Sequence, residues 1–328
     1  MSAILAERLV KHYSPEIRAV DGIDLDFQPG QVFGFLGSNG SGKTTTVRIL
    51  TTLLKPTSGR AEVAGLDVRK HGSEVRQRIG VALQEAGLDN LQTGRELLHL
   101  QGYLYGMTSR RVKERAVRLL EIIDLVESAD RPIGTYSGGM QRRLDLAAAL
   151  MHEPKIVFLD EPTTGLDPIS RESIWRYVRE LNADEGVTFF LTTQYMEEAD
   201  RLADELAIMS VGKIVAQGSP KELKASIGCD VITVHTDDEH GELERAAELL
   251  RKQAGVEDVR TLEGSVVVYV PDGRRALAGV IRLLDEASIP VGEVALAHPT
   301  LDDVFIQKTG HHIEREAAPA SDSGEGRP

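Results

Sequence analysis

Along roughly the first 220 residues, short apolar runs of strand length alternate with longer stretches whose apolar positions recur every three to four residues. VFGFLG (32–37), IGVALQ (79–84), KIVFLDEP (155–162), VTFFLTT (187–193) and ELAIMS (205–210) read as buried strands, because a strand covered on both faces is apolar at nearly every position. This alternation predicts a layered α/β domain over residues 1–228. Within it, from about 86 to 150, the pattern turns helical in GRELLHLQGYLYG, SRRVKERAVRLLEIIDLV and GGMQRRLDLAAALM, which predicts a helical subdomain. Beyond it the order is DVITVH, a helix over about 243–253, VEDVRT, SVVVYV, a helix over about 274–287, and VGEVAL. That βαββαβ order predicts a small ferredoxin-like α+β domain over 229–310, closed by PTLDDVFIQKTG. Residues 311–328 are too polar and too rich in small residues to pack, and are expected to be a disordered tail.

A length of 328 residues suffices for one large core and a smaller one. The net charge of −13 is unevenly placed, with 20 acidic against 10 basic residues from Cys229 onward. An acidic surface repels phosphate backbones, which argues against a nucleic-acid partner. Cys229 stands alone, so no intrachain disulfide forms, and the composition fits a reducing compartment. The opening MSAILAERLVKHY lacks the apolar core of a secretion signal, and no window approaches the roughly 18 apolar residues of a spanning helix. The expectation is a chain that does not cross a bilayer by itself.

Chemistry enters with GSNGSGKT (37–44), which follows one of the buried strands and opens a helix, TTVRILTTLL. The glycines Gly37, Gly40 and Gly42 allow the backbone to turn sharply and to aim N–H groups at phosphate oxygens, with the helix N-terminus adding its dipole. Lys43 reaches the β- and γ-phosphates, and the Thr44 hydroxyl is a magnesium ligand. KIVFLDEP then delivers Asp160 to the C-terminal edge of its strand, where it can hold the metal, and Glu161 to the same crevice as a general base. A second anion site is expected at TYSGGMQRR, where Ser137 caps a helix and Gly138 and Gly139 expose N–H groups. Two phosphate-grade helix starts in one chain suggest a nucleotide clamped between copies of the protein.

The order of these motifs resembles an ATP-binding-cassette (ABC) ATPase over roughly residues 5–223. GSNGSGKT is similar to the Walker A loop, Gln84 to the Q-loop residue, YSGGM to the signature motif, IVFLD to the Walker B strand, and Gly165-Leu166-Asp167 to the D-loop. Tyr13 matches the aromatic that stacks on adenine. The resemblance implies an ABC-type P-loop NTPase domain whose nucleotide contacts come from Tyr13, Gly37, Ser38, Asn39, Gly40, Ser41, Gly42, Lys43, Thr44, Thr45, Gln84, Ser137, Gly138, Gly139 and Asp167. It implies Mg²⁺ ligation by Thr44, Gln84 and Asp160, and catalytic roles for Lys43, Glu161 and Gln194. Taken alone, Gln194 reads as an ordinary turn amide; in the resemblance it stands at the switch position, where histidine is usual.

Two departures narrow the resemblance: YSGGM in place of LSGGQ, and Gln194 in place of the switch histidine. With TGREL and PTLDDVF, they make the chain similar to the ATPase subunits of the daunorubicin/doxorubicin resistance exporter group. That similarity implies a homodimer at the cytoplasmic face of the membrane, using ATP and Mg²⁺ and working through a separate transmembrane permease subunit on hydrophobic drugs. It implies an assembly or regulatory role for residues 229–310, with a passive stabilising role as the alternative. A soluble ABC ATPase acting on ribosomes or DNA would share every nucleotide motif, yet it commonly carries paired cassettes or coiled-coil insertions, which are absent here. Transport of lipid or another substrate is the remaining alternative.

Overall fold

The structure is a computed structural model and describes residues 2–83, 87–226, 228, 230–236, 242–262 and 264–309. Strands β1 (Ile4–His12) and β2 (Arg18–Phe27) pair antiparallel, Ile4 opposite Phe27, and a shift in register follows Ala6, where Arg8 takes φ +45°. Burial in β2 alternates, so this sheet has one dry face. Strand β3 (Val32–Gly37) is buried throughout and runs into the glycine-rich loop and helix α1 (Lys43–Leu50). Sequence reading carried this helix four residues further, to Leu54. It ends where Thr52 turns left-handed, φ +66°, its N–H closing the last turn on the Ile49 carbonyl at 3.0 Å. Next come β4 (Ser58–Val63) and β5 (Leu66–Asp67), which complete an antiparallel sheet in the order β2-β1-β4-β5.

Helix α2 (Gly72–Arg78) leads into β6 (Ile79–Ala82). Then follow α3 (Gly94–Leu104), opened by a Thr93–Glu96 capping box, α4 (Ser109–Ile122), capped by Thr108, and α5 (Gly138–Leu150), capped by Ser137. Strand β7 (Ile156–Asp160) precedes α6 (Pro168–Glu185), β8 (Thr188–Thr193), α7 (Met196–Leu202), β9 (Glu205–Ser210) and β10 (Lys213–Gly218). The central sheet has the order β10-β9-β3-β8-β7-β6, with β9, β3, β8, β7 and β6 parallel.

Alternate residues of the central strands serve two different cores. Phe33, Phe35, Phe158 and Phe190 face the antiparallel sheet, where they meet Ile4, Leu25 and Phe27. Val32, Val157, Leu159, Phe189 and Leu191 face the helices and meet Leu97, Leu119, Leu144 and Val178. Each fully buried side chain of this size is worth about 1.5–3 kcal/mol, so both faces of the sheet are fixed. Its parallel strands therefore end along one rigid edge, where such sheets present their sites.

The second part of the chain holds α8 (Pro220–Ala225), β11 (Asp230–His235), α9 (Glu242–Arg251), β12 (Asp258–Leu262), β13 (Ser265–Val270), α10 (Gly273–Glu286), β14 (Glu293–Ala297) and α11 (Leu301–Thr309). Its antiparallel order β12-β13-β11-β14 is the split βαβ arrangement of ferredoxin-like folds. Leu243, Ala247, Leu250, Val280 and Leu284 cover Ile232, Val234, Val266 and Val268 on one face. The compact units divide between Gln217 and Gly218, eleven residues before the sequence-based boundary, and α8 packs against α11 within the second unit. The expected tail, 311–328, and Cys229 lie outside the described residues.

Candidate active site

The loop after β3 is shaped by its glycines in two ways. Gly40 and Gly42 take φ +76° and +111°, conformations that strain residues with a Cβ. Gly37 has an ordinary φ, but a Cβ there would meet Ser41 Oγ at 2.5 Å and the Met209 carbonyl oxygen at 2.6 Å. Around the loop the β9–β10 turn closes in: Gly212 N–H donates to the Ser41 carbonyl at 2.9 Å, and Asp21 N–H to the Gly212 carbonyl at 2.9 Å. Ser38 and Thr45 are half-buried, while Asn39 and Gly40 are exposed.

Lys43 lies almost wholly buried under this loop, donating to the carbonyls of Gly37 at 2.8 Å and Ser38 at 3.0 Å. Its Nζ is 3.7 Å from Glu161 Oε1. Burial pulls the Lys43 ammonium below the ordinary lysine value, against the opposing pull of Glu161 and Asp160. Thr44 Oγ1 donates to Asp160 Oδ1 at 3.3 Å, and Thr192 Oγ1 reaches the same oxygen at 2.5 Å. Glu161 leaves the strand with φ +50°, its N–H held by the carbonyl and hydroxyl of Thr192, both at 3.1 Å. Its Oε2 accepts from Thr164 Oγ1 at 3.2 Å.

Register brings Gln194 to the same edge. Leu36 pairs with Thr193 and Asp160 with Thr192, so Gln194 stands level with the start of the loop on one side and just past Glu161 on the other. Its Oε1 is buried with no hydrogen-bond partner, as is Ser41 Oγ. Unpaired buried polar atoms are costly. One unpaired acceptor and one unpaired hydroxyl at this strand edge suit a water molecule and a phosphate oxygen. The hard oxygen pair of Thr44 and Asp160 likewise suits Mg²⁺, which takes oxygen ligands and keeps several waters. The residues present therefore fit a magnesium-bound nucleotide.

The other half of the predicted set lies elsewhere in the chain. Ser137 caps α5 by accepting from Met140 N–H at 3.3 Å. A Cβ on Gly139 would meet Ser170 Oγ at 2.5 Å, while Gly138 is open. Asp167 caps α6, accepting from the N–H groups of Ile169 and Ser170 at 3.0 and 2.9 Å and from Ser170 Oγ at 2.6 Å. These caps hold the Asp167 carboxyl below its usual range. The signature glycines and Asp167 are thus neighbours through Ser170, and no hydrogen bond among the described residues ties them to the 37–45 loop. Tyr13 is exposed beyond β1, with Lys11 Nζ 5.5 Å from its ring centre. Gln84 lies outside the described residues.

Two residues here carried no sequence signal. Glu198, on α7, is fully buried; its Oε1 accepts from Thr163 Oγ1 at 2.8 Å and Trp175 Nε1 at 2.9 Å. Burial raises its carboxyl above the usual value despite these bonds. Arg142, on α5, bonds the carbonyls of Asp160 and Pro162. Close by, Leu53, Val81, Leu83, Tyr105, Asp145 and His152 line a groove of about 360 Å³. There the Tyr105 and His152 rings stack 3.7 Å apart, and burial pushes the Asp145 carboxyl up to about 6.

Comparison with known proteins divides the chain as the fold does. Residues 20–164 match the family described as ABC transporter, and residues 218–309 match the C-terminal domain of DrrA1-3-like ATP-binding proteins. The chain is 46% identical to the daunorubicin resistance ATP-binding protein DrrA2 of Streptomyces coeruleorubidus, covering 96% of this chain and 98% of that one. It is 38% identical to the Nod factor export ATP-binding protein I of Cupriavidus metallidurans, over 95% and 99% of the two chains. Among solved structures it resembles cbiO1 of Clostridium perfringens, part of the cbiONQ ABC transporter complex, with a TM-score of 0.64 at 28% identity over 68% of this chain and 91% of that one. It also resembles the dimeric post-hydrolysis state of the cassette MJ0796 bound to ADP and phosphate, with a TM-score of 0.61 at 25% identity over 66% and 98%.

Proposed function

Since this chain belongs to the ABC transporter ATP-binding proteins, in the branch that carries the DrrA-like C-terminal domain, we propose that it hydrolyses ATP to drive drug export through a separate membrane subunit. The observation that carries this reading is the convergence of Lys43, Thr44, Asp160 and Glu161 on one sheet edge, in a chain related end to end to a daunorubicin resistance ATP-binding protein. Glu161 takes the proton of a water molecule as the water oxygen attacks the γ-phosphorus. The bond from that phosphorus to the bridging oxygen breaks, and its electron pair leaves with ADP. Lys43 and the loop N–H groups hold the phosphates, and Gln194 Oε1 accepts from the water. Mg²⁺, when bound by Thr44 and Asp160, neutralises phosphate charge.

Two copies work as a pair, Ser137, Gly138 and Gly139 of each completing the loop site of the other, with Tyr13 against adenine and Gln84 and Asp167 lining the same nucleotide. The protein acts as a peripheral subunit at the cytoplasmic face of the membrane; no helix among the described residues is long and apolar enough to cross a membrane. The groove of Leu53, Leu83, Tyr105 and His152 receives a segment of the membrane subunit, an apolar and aromatic wall suiting an amphipathic helix. The test is to reconstitute the chain with its membrane subunit in vesicles and measure ATP-dependent daunorubicin movement. Hydrolysis with daunorubicin transport supports the reading. Hydrolysis without transport of daunorubicin overturns the assigned substrate, and the similarity to a Nod factor export ATP-binding protein then makes Nod factor the next substrate to try.

A further inference from the structure

Glu161 is a non-glycine residue in the left-handed region, and what keeps it there is visible on both sides. Its N–H is fixed by Thr192, as described above. The carbonyl before it, of Asp160, accepts from Arg142 Nη2 at 2.9 Å, and the carbonyl of the next residue, Pro162, accepts from Arg142 Nε at 3.0 Å. One guanidinium therefore grips the backbone on either side of the carboxylate that deprotonates water. Its remaining donor, Nη1, reaches the Leu83 carbonyl at 2.5 Å and Asp145 Oδ2 at 3.3 Å. Leu83 immediately precedes Gln84 and lines the groove. Arg142 itself sits on α5, five residues beyond the Ser137 cap. It is largely buried, and Asp145, Asp160, Glu198 and Glu161 offset the cost of burying its charge.

We infer that Arg142 is a positioning residue for Glu161: its planar fork holds the strained peptide that aims the carboxylate, and moves that peptide with the signature helix. A lysine cannot replace it, because a single ammonium lacks the fixed spacing of the guanidinium donors. The inference rests on Glu161 being the general base.

The test measures single- and multiple-turnover ATP hydrolysis by the full chain with its membrane subunit, for R142A, R142K, E161Q and R142A/E161Q. R142A is expected to lower kcat about 10- to 100-fold, the usual effect of misplacing a catalytic group, with KM for ATP within about threefold of the parent. R142K should recover only part of that loss. In the E161Q background R142A should cost nothing further, since the group it positions is gone. If R142A does not remain folded, R142Q takes its place in both backgrounds. Parental kcat in a folded R142A, or a loss that persists in full on E161Q, would overturn the inference. Parental hydrolysis by E161Q would instead overturn the assignment of Glu161.

Discussion

In the proposed mechanism Glu161 and Gln194 divide the work of the site, because the second has no proton to exchange near neutral pH. A histidine at Gln194 could take up charge as negative charge develops on the phosphate; glutamine offers only a donor and an acceptor. All proton chemistry then falls on Glu161. E161Q is accordingly expected to bind MgATP like the parent while hydrolysing it at least about 10²-fold more slowly, read by nucleotide titration beside phosphate release. Parental turnover would remove Glu161 from the base role. The Gln194 Oε1 is buried and otherwise unpaired, and in the proposed mechanism it accepts one neutral hydrogen bond from the attacking water. Q194A should lose about ten- to a thousandfold in kcat, the range for one transition-state hydrogen bond, with ATP affinity preserved. Q194H should keep substantial activity and add a titration near pH 6–7 to the rate profile. If Q194A turns over as fast as the parent in the presence of the membrane subunit, Gln194 is a turn amide and no more.

Among the elements, α5 combines the most roles: its first turn carries the signature glycines, its next holds Arg142, and Asp145 borders the groove. Burial lifts Asp145 to about 6 from 3.8, so the folded chain binds a proton that the unfolded chain releases. The stability this brings is full below about pH 4 and is lost as pH rises through about 6; for a shift near two units the loss is about 3 kcal/mol. D145N cannot titrate. The stability difference between parent and D145N, from urea unfolding at pH 4.5 and 7.5, should therefore change by most of that amount, and equal pH slopes would refute it. The same helix marks the limit of sequence reading. Its span and its Ser137 cap were legible, as were β3, β7 and β8, because strands buried on both faces are apolar throughout. By contrast, QRRLD and MEEAD look like solvated helix faces, and nothing local says that Arg142 and Glu198 turn inward. The partners of Arg142, Leu83 and Asp160, come from the residue after β6 and the end of β7, and those of Glu198, Thr163 and Trp175, from the segment after β7 and from α6. The antiparallel sheet of β1, β2, β4 and β5 was equally hidden, since its one-sided alternation is broken at Arg8 and two of its strands are separated from the others by β3 and α1.

Across the whole molecule the proposed site divides into two halves. One is the 37–45 loop with Asp160, Glu161 and Gln194; the other is Ser137, Gly138, Gly139 and Asp167, gathered at the N-termini of α5 and α6 through Ser170. Gly139 is fixed by that packing, but Gly138 and the exposed edge of the cap have room for an anion from outside the chain. A two-fold pair of chains makes each half-site meet the other twice, so lesions in different half-sites should complement in trans. Mixing S137R with K43A places both lesions in one composite site of the heterodimer and leaves its second site intact. Each variant alone should be inactive as a homodimer, because every composite site then carries a lesion. The mixture should recover hydrolysis in proportion to the heterodimer formed, up to about half the parental rate per dimer if sites fire independently. S137R also removes a helix cap worth about 1 kcal/mol, so its melting temperature must be followed to separate unfolding from a blocked site. Where tagged heterodimers are isolated and both variants remain folded, complete inactivity of the mixture would mean that the two sites fire only together or that Ser137 does not serve the neighbouring chain. Single-turnover hydrolysis in the isolated heterodimer separates these outcomes: one ATP cleaved per dimer requires a complete site assembled from both chains.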